Sequence, residues 1–163
     1  MRSVPVVLSL GSNLGDRGLH IRRAIAALDD AIRVVRLSSM WETEPVDARE
    51  DSQPYLNAVI AGYTKLSPEA LLDSVATIER SQGRRRRHRN ESRPIDIDVV
   101  LFGSRVIRRR SLTIPHPRYR ERAFVTEPLR ELTLPWAEPA DGRPISRFSG
   151  AGRVEKMKGV LAP

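Results

Sequence analysis

The sequence contains no cysteine, which excludes a disulfide framework, a thiolate metal site and catalysis by a thiol. Histidine is scarce as well, and the three histidines are too scattered along the chain to suggest a zinc site. The apolar run at residues 4–10 is too short to cross a membrane, and no signal-peptide cleavage pattern follows it. From these absences we expect a soluble cytoplasmic protein.

A Walker phosphate-binding loop is also absent. The glycine-containing segment at residues 11–17 lacks the lysine and the adjacent Ser or Thr that such a loop requires. Any kinase with this sequence therefore belongs to a class that binds nucleotide phosphates in another way.

Neither repeats, low-complexity segments nor a linker divides the chain. Its 163 residues are the size of one ordinary domain and are long enough to bury a core. We therefore expect a single domain over residues 1–163, in which residues 133–163 form a C-terminal tail without apolar periodicity.

Positive charge is abundant and unevenly placed. The chain carries 28 Lys and Arg against 20 Asp and Glu, a net charge of +8. Residues 84–93 hold six arginines against one acidic residue, and residues 105–122 hold seven against one. Such clusters favour a polyanionic partner, either nucleic acid or the phosphates of a nucleotide. The plain alternative is a basic surface without a specific partner.

The apolar pattern predicts alternating strands and helices. Short β-rich runs predict strands at residues 4–10, 34–39, 56–63 and 95–102. Apolar residues at helical spacing predict a helix from about Ile21 to Ile32, a second helix capped by Ser67, and a last helix near 124–132. The order β-α-β-β-α-β is that of a ferredoxin-like sandwich, an α+β fold whose antiparallel sheet carries helices on one face.

The segments between these elements read as loops. Residues 42–54 are polar and contain two prolines, and residues 83–94 lack apolar periodicity and are expected to form a mobile loop. Residues 105–107 are expected to begin a short hairpin arm.

Two carboxylates interrupt the apolar strand at residues 95–102. Because strand side chains alternate between faces, Asp96 and Asp98 share one face about 6.6 Å apart, while Ile97, Val99 and Leu101 are expected to face the core. Paired carboxylates of this kind suit Mg²⁺, and two such ions can clamp the attacking and leaving oxygens of a phosphoryl transfer. The alternative is that both carboxylates form salt bridges with nearby arginines.

Arginines stand directly before this strand. Residues 84–89 are mostly arginine, and Arg93 lies three residues before Asp96. Guanidinium groups beside paired carboxylates supply both halves of phosphoryl-transfer chemistry, since metals neutralise one side of a phosphate chain and arginines the other. The combination favours a nucleotide-dependent transferase.

Four blocks of the chain, spread over about residues 4–132, resemble the 6-hydroxymethyl-7,8-dihydropterin pyrophosphokinase family. They are Leu10-Gly11-Ser12-Asn13-Leu14-Gly15-Asp16-Arg17, Pro54-Tyr55-Leu56-Asn57-Ala58-Val59, the arginine segment from Gly83 through Asp98, and Leu112-Thr113-Ile114-Pro115-His116-Pro117 with Arg122-Ala123-Phe124. The resemblance implies transfer of a diphosphate from ATP to a reduced pterin, with ATP as co-substrate and two Mg²⁺ ions as cofactors.

The resemblance also implies roles for individual residues. Asp96 and Asp98 would hold the metals, and Arg84 and Arg93 would stabilise charge on the transferred diphosphate. The implied ATP-binding residues are Glu79, Arg86, Arg89, Arg93, Thr113, His116 and Arg122. The implied pterin-binding residues are Thr43, Pro45, Val46, Tyr55, Asn57 and Phe124, of which Tyr55 and Phe124 would stack on the two faces of the ring. Glu79 could equally be a solvated helix charge.

The chain departs from the family pattern in the arginine segment, where Asn90-Glu91-Ser92 replaces an aromatic residue followed by Gly-Pro or Ala-Pro. This change raises the alternative of a regulatory domain without catalysis.

A basic RNA-binding domain of the same topology is the other alternative, but such a domain needs exposed aromatics, and this chain has 5% aromatic residues. We expect a monomer that binds neither nucleic acid nor membranes.

Overall fold

A computed structural model describes residues 3–44, 53–83, 92–136 and 142–157. Within these ranges the chain forms three α-helices, which are α1 (Arg17–Ala27), α2 (Pro68–Ser81) and α3 (Ala123–Glu131). The strands of the same ranges are β1 (Val4–Ser12), β2 (Arg33–Leu37), β3 (Trp41–Thr43), β4 (Tyr55–Thr64), β5 (Asp96–Phe102), β6 (Ile107–Arg108), β7 (Thr113–Ile114) and β8 (Val154–Lys156). None of the described helices combines the length and apolarity needed to span a bilayer.

The main sheet is antiparallel throughout and has the order β5-β1-β4-β3-β8, with β2 paired to β4 beside β3. The predicted α+β architecture, with an antiparallel sheet and helices packed on it, is therefore confirmed. The Ser67 cap is also confirmed, since its hydroxyl accepts from the Ala70 backbone N–H at 3.1 Å. The hairpin arm exists as the two-stranded pair of β6 and β7.

Two sequence expectations about element bounds are wrong. Helix α1 ends at Ala27, and Ile32 is buried after the turn that follows it. Strand β3 lies in part of the segment that we expected to be a loop. The tail, whose sequence predicted no element, contributes β8, which pairs with β3. Three-residue strands are too short to show an alternating pattern, so they form only because a longer neighbour such as β4 supplies hydrogen-bonding partners.

The sheet buries both of its faces, which corrects the expectation of helices on one face. Val6 and Leu8 of β1 pack in a core covered by α1 and α2, whereas Val7, between them, packs in a second core under α3. All three are fully buried. A continuous apolar run is what a strand covered on both sides requires, and this explains why β1 lacks polar alternation.

Strand β5 carries a bulge that redirects its last residues. Leu8 pairs with Val99 and Val7 pairs with Leu101, so Val100 is the extra residue on β5. Leu101 consequently packs in the core under α3 and does not share the face of Ile97 and Val99, contrary to our expectation. The bulge follows Asp96 and Asp98, so these two keep their common face, on the α3 side of the sheet.

The C-terminal segment braces the beginning of α3. The Ala123 backbone N–H donates to the Ala151 carbonyl at 3.1 Å, and the Gly150 N–H donates to the Thr126 hydroxyl at 2.9 Å. This contact takes the place of a side-chain cap on α3. A Cβ atom on Gly150 would lie 2.3 Å from the carbonyl carbon of Arg122. Only glycine therefore allows the tail to approach Arg122 so closely.

We predict that Gly150→Ala lowers stability by about 1–3 kcal/mol, because the added methyl group overpacks a backbone that cannot give way. Thermal unfolding would show a fall in Tm of roughly 2–12 °C. Gly18→Ala is the matched control. Its Cβ would meet the flexible end of Arg22 at 3.2 Å and would lie in ordinary contact with Asp16 Oδ1 at 3.7 Å, and helix propensity favours alanine. Equal Tm values for the two variants would contradict the bracing contact.

Candidate functional site

The polar side chains of the α3-side face form a row across the sheet. Asp96 of β5 pairs with Gly11 of β1, Gly11 pairs with Asn57 of β4, and Asn57 pairs with Trp41 of β3. Cross-strand partners share a face, so Asp96 and Asn57 lie on either side of a residue without a side chain. A Cβ on Gly11 would lie 3.1 Å from Asn57 Oδ1. The missing side chain of Gly11 therefore leaves room for the Asn57 amide oxygen.

Asp98 lies between two residues that the sequence placed at the nucleotide site. Its Oδ2 is 3.6 Å from Arg122 Nη1 and 3.8 Å from His116 Nε2. The His116 backbone N–H donates to the Val100 carbonyl at 2.9 Å, which fixes this loop along the edge of β5. Arg122 is the residue that precedes α3. The structure thus brings Asp98, His116 and Arg122 together.

Asp96 pairs with Arg93, whose Nη1 lies 3.1 Å from Asp96 Oδ2. The salt bridges that we considered as the alternative explanation of the two carboxylates are therefore present. Both carboxylates nevertheless remain accessible, with side chains 30% exposed for Asp96 and 40% for Asp98. A cation could still reach their oxygens from the open face.

The surroundings of His116 favour its neutral form by lowering its pKa. Burial lowers the pKa of the imidazole, and the nearby Arg122 and Arg118 guanidinium groups lower it further. The Asp98 and Asp96 carboxylates act in the opposite direction, but the net shift is downward. A neutral ring can still donate one hydrogen bond to a phosphate oxygen or to a carboxylate.

Asn13 fixes the backbone of Arg93, a role that the sequence did not reveal. Its Oδ1 accepts from the Arg93 N–H at 2.7 Å, and its own backbone N–H donates to the Arg93 carbonyl at 3.1 Å. Its Nδ2 also donates to Ser92 Oγ at 3.3 Å. Asn13 was part of a block with family resemblance, but the contact joins positions 80 residues apart and no local pattern encodes it.

Glu79 is almost fully buried at the end of α2, so it is not the solvated charge that we considered. Its Oε1 accepts from the backbone N–H of Ile97 at 2.8 Å. Ile97 stands between the two aspartates, so Glu79 holds the backbone of the carboxylate strand from the other side of the sheet. A contact between Glu79 and ATP stays a prediction.

Thr113 is placed differently from His116 and Arg122. It is exposed on β7, where its hydroxyl donates to the Arg109 carbonyl at 3.4 Å. Its observed contact is therefore within the hairpin arm and not with the two aspartates.

The predicted pterin residues of β3 and β4 are joined by hydrogen bonds. Asn57 is buried, and its Nδ2 donates to Thr43 Oγ1 at 3.1 Å and to the Trp41 carbonyl at 3.4 Å. Tyr55 pairs with Thr43 and lies two residues from Asn57 along β4, on the same face of the sheet. Phe124 lies at the beginning of α3, with the Arg122 guanidinium 5.5 Å from the centre of its ring.

Five predicted site residues lie outside the described residues, namely Pro45, Val46, Arg84, Arg86 and Arg89. Among the residues that the structure does describe, no group of three or more His, Asp or Glu side chains could hold a metal ion. A metal at Asp96 and Asp98 would therefore need further ligands from phosphate or water.

Comparison with known proteins gives a consistent assignment. The model of the family described as 7,8-dihydro-6-hydroxymethylpterin-pyrophosphokinase (HPPK) matches residues 7–134. The 2-amino-4-hydroxy-6-hydroxymethyldihydropteridine pyrophosphokinase of Bacillus subtilis is 41% identical over 127 residues, which are 77% of this chain and 75% of the relative. The enzyme of the same name from Aquifex aeolicus is 34% identical over 156 residues, 96% of this chain and 97% of the relative.

Proteins longer than this one are also similar to it. The HPPK-DHPS protein of Plasmodium falciparum has a solved structure similar to this one, with a TM-score of 0.69 at 13% sequence identity, and this likeness bears on the fold alone. The match covers 88% of this chain but 44% of the Plasmodium chain, so this protein corresponds to less than half of that one. The family match spans most of the chain and agrees with two relatives above 30% identity, and the chain therefore belongs to the 7,8-dihydro-6-hydroxymethylpterin-pyrophosphokinase family.

Proposed function

We propose that the protein transfers a diphosphate from ATP to the hydroxymethyl group of 6-hydroxymethyl-7,8-dihydropterin, giving AMP and the pterin diphosphate in folate biosynthesis. The observation that carries the proposal is the single sheet face on which Asp96 and Asp98, with their arginine neighbours, lie across Gly11 from Asn57. Such a face offers charged groups to a phosphate chain on one side and an amide to a heterocycle on the other.

The nucleotide belongs on the β5 side of Gly11. Arg93 and Arg122 lie against the two carboxylates and are placed to neutralise phosphate oxygens, and His116 is placed to donate to one. Arg84, Arg86 and Arg89 would extend the positive surface from the neighbouring arginine segment. Glu79 acts from behind the strand by fixing the backbone of Ile97.

The carboxylate pair fits Mg²⁺. Asp96 and Asp98 offer hard oxygen donors on one face, and both remain partly exposed. Two Mg²⁺ ions bound there would neutralise charge on the triphosphate and lower the pKa of the substrate hydroxyl. The protein's own contribution is to orient the substrates so that the hydroxymethyl oxygen attacks the β-phosphorus, the bond from that phosphorus to the α-phosphate oxygen breaks, and AMP leaves.

The pterin belongs on the β4 side. Tyr55 and Phe124 would stack on the ring, while Thr43, Asn57, Pro45 and Val46 would recognise its edge. Asn57 supports this role because Thr43 and the Trp41 carbonyl engage its Nδ2, while its Oδ1 lies on the side of Gly11. An oxygen in that position can accept a hydrogen bond from a ring N–H.

No observation favours the alternatives. An RNA-binding surface here would place two carboxylates where the RNA phosphates must approach. The alternative of a regulatory domain without catalysis rests on residues 90–92, but Arg93, Asp96 and Asp98 are in place. The expectations that the protein is cytoplasmic and a monomer stay predictions.

Product analysis tests the reaction itself. Purified protein incubated with ATP, Mg²⁺ and 6-hydroxymethyl-7,8-dihydropterin should form AMP and pterin diphosphate in equal amounts, as followed by chromatography. Omission of either the pterin or the metal should stop both products. Formation of ADP would mean transfer of a single phosphoryl group and would overturn the proposed mechanism.

The carboxylates can be tested by an isosteric change. Asp98→Asn should reduce AMP formation by at least about a hundredfold, because one charged ligand of the metals is lost. The melting temperature should not fall, since the change removes a partly exposed charge. Asp73→Asn, which makes the same charge change at an exposed position on α2, should retain wild-type activity. Equal activity of the two variants would refute the metal assignment.

Asn13→Ala should affect the site through Arg93. Loss of the Oδ1 acceptor leaves the Arg93 N–H unsatisfied and should cost about 1–3 kcal/mol in the free energy of unfolding, measured by urea denaturation. Asn13→Asp retains that acceptor and should be milder in both stability and AMP formation. If both variants lose the same free energy of unfolding and the same activity, the hydrogen bond to Arg93 is not the cause of the loss.

A further inference from the structure

Glu131, the last residue of α3, receives four hydrogen bonds on one carboxylate. Its Oε2 accepts from the Ser39 N–H at 2.9 Å and from the Trp41 indole N–H at 3.1 Å. Its Oε1 accepts from the Ser39 hydroxyl at 2.7 Å and from the Lys156 ammonium group. The four donors come from Trp41 of β3, from Ser39 two residues before it, which supplies two, and from Lys156 of β8. One side chain therefore joins α3 to the edge of the sheet.

The environment favours the ionised form of this carboxylate. Partial burial acts to raise the pKa of Glu131, but the hydrogen bonds from Lys156, Ser39 and Trp41 outweigh it and hold the pKa below its usual value. The negative charge is therefore part of the arrangement at neutral pH. A neutral amide could not replace it, because its NH₂ group would face donors on whichever side it took.

The contacts of Glu131 lead directly to Asn57. Trp41 donates its indole N–H to Glu131, and its backbone carbonyl accepts from Asn57 Nδ2. Thr43, two residues further along β3, accepts from the same Nδ2. Because β3 has three residues, its position depends on its neighbours β4 and β8 and on this carboxylate. Any shift of β3 would move both acceptors that orient the amide.

We propose that Glu131 is a positioning residue for pterin recognition, which holds β3 so that Asn57 keeps its Oδ1 directed toward Gly11. The inference rests on the proposed function. Glu131 should affect the affinity for the pterin but neither the chemical step nor the affinity for ATP. The reason is that its contacts lie on the β3 side of the sheet face, away from Asp96 and Asp98.

The test compares Glu131→Gln with Glu127→Gln. The two glutamates lie four residues apart on α3, each side chain is 25% exposed, and Glu127 pairs with Arg130 on its own helix. Steady-state kinetics of AMP formation should show that Glu131→Gln raises the KM for the pterin about tenfold. The KM for ATP and kcat should remain within about twofold of wild type, and Glu127→Gln should match wild type in all three.

A spectroscopic readout reports the contact without relying on turnover. The chain has two tryptophans, so ¹⁵N-labelled protein should give two indole N–H signals, which Trp136→Phe assigns. The Trp41 signal should move in Glu131→Gln and stay in place in Glu127→Gln. If Glu131→Gln does not fold, Trp41→Phe removes the indole donor while it keeps an aromatic ring, and it should also raise the KM for the pterin.

The outcomes separate this inference from the proposed function. Wild-type protein without any pterin-dependent AMP formation would overturn the proposed function, whatever the variants do. An active wild type with an unchanged KM for the pterin in Glu131→Gln, or in Trp41→Phe if that variant is used, would overturn the positioning role. An unmoved Trp41 signal, or a KM for ATP that rises as much as the KM for the pterin, would overturn it as well.

Discussion

Two carboxylates on the edge strand β5 are the constraint on which the rest of the site depends. Asp96 and Asp98 must stay out of the apolar interior, yet the intervening Ile97 is buried in the core covered by α1 and α2. Both requirements are met because the α3-side face of the sheet is open at the end where the carboxylates lie. Arginines approach the carboxylates there, and Gly11 has no side chain. The arrangement that keeps the charges solvated is also the one on which the proposed binding of phosphates and a flat ring depends.

Much of this arrangement could be predicted from local sequence. The alternation of Asp and apolar residues in β5 gave the shared face of the carboxylates, and the cap at Ser67 gave the beginning of α2. His116 and Arg122, which the family resemblance implied, do lie beside Asp98. The first two predictions succeed because periodicity and capping are properties of neighbouring residues. The role of His116 and Arg122 in ATP binding stays a prediction.

The features that escaped prediction depend on contacts between distant parts of the chain. The bulge at Val100 reverses the orientation of Leu101, and nothing in an unbroken apolar run marks it. Strand β8 and the approach of Gly150 to Arg122 arise in a tail without apolar periodicity. In the sequence, Glu131 is an ordinary charged residue of a helix, but its structural role depends on hydrogen bonds from Ser39, Trp41 and Lys156. Tertiary hydrogen bonds of this kind leave no local signal.

The central claim is that one sheet face binds both substrates on opposite sides of Gly11. A crystal structure of the protein with Mg²⁺, a non-hydrolysable ATP analogue and 6-hydroxymethyl-7,8-dihydropterin tests it most directly. The account predicts metal density between the Asp96 and Asp98 oxygens and the phosphates, with the pterin beside Asn57 and its hydroxymethyl group toward the β-phosphorus. A pterin bound away from this face, or carboxylates that remain paired with Arg93 and Arg122 and bind no metal, would contradict it.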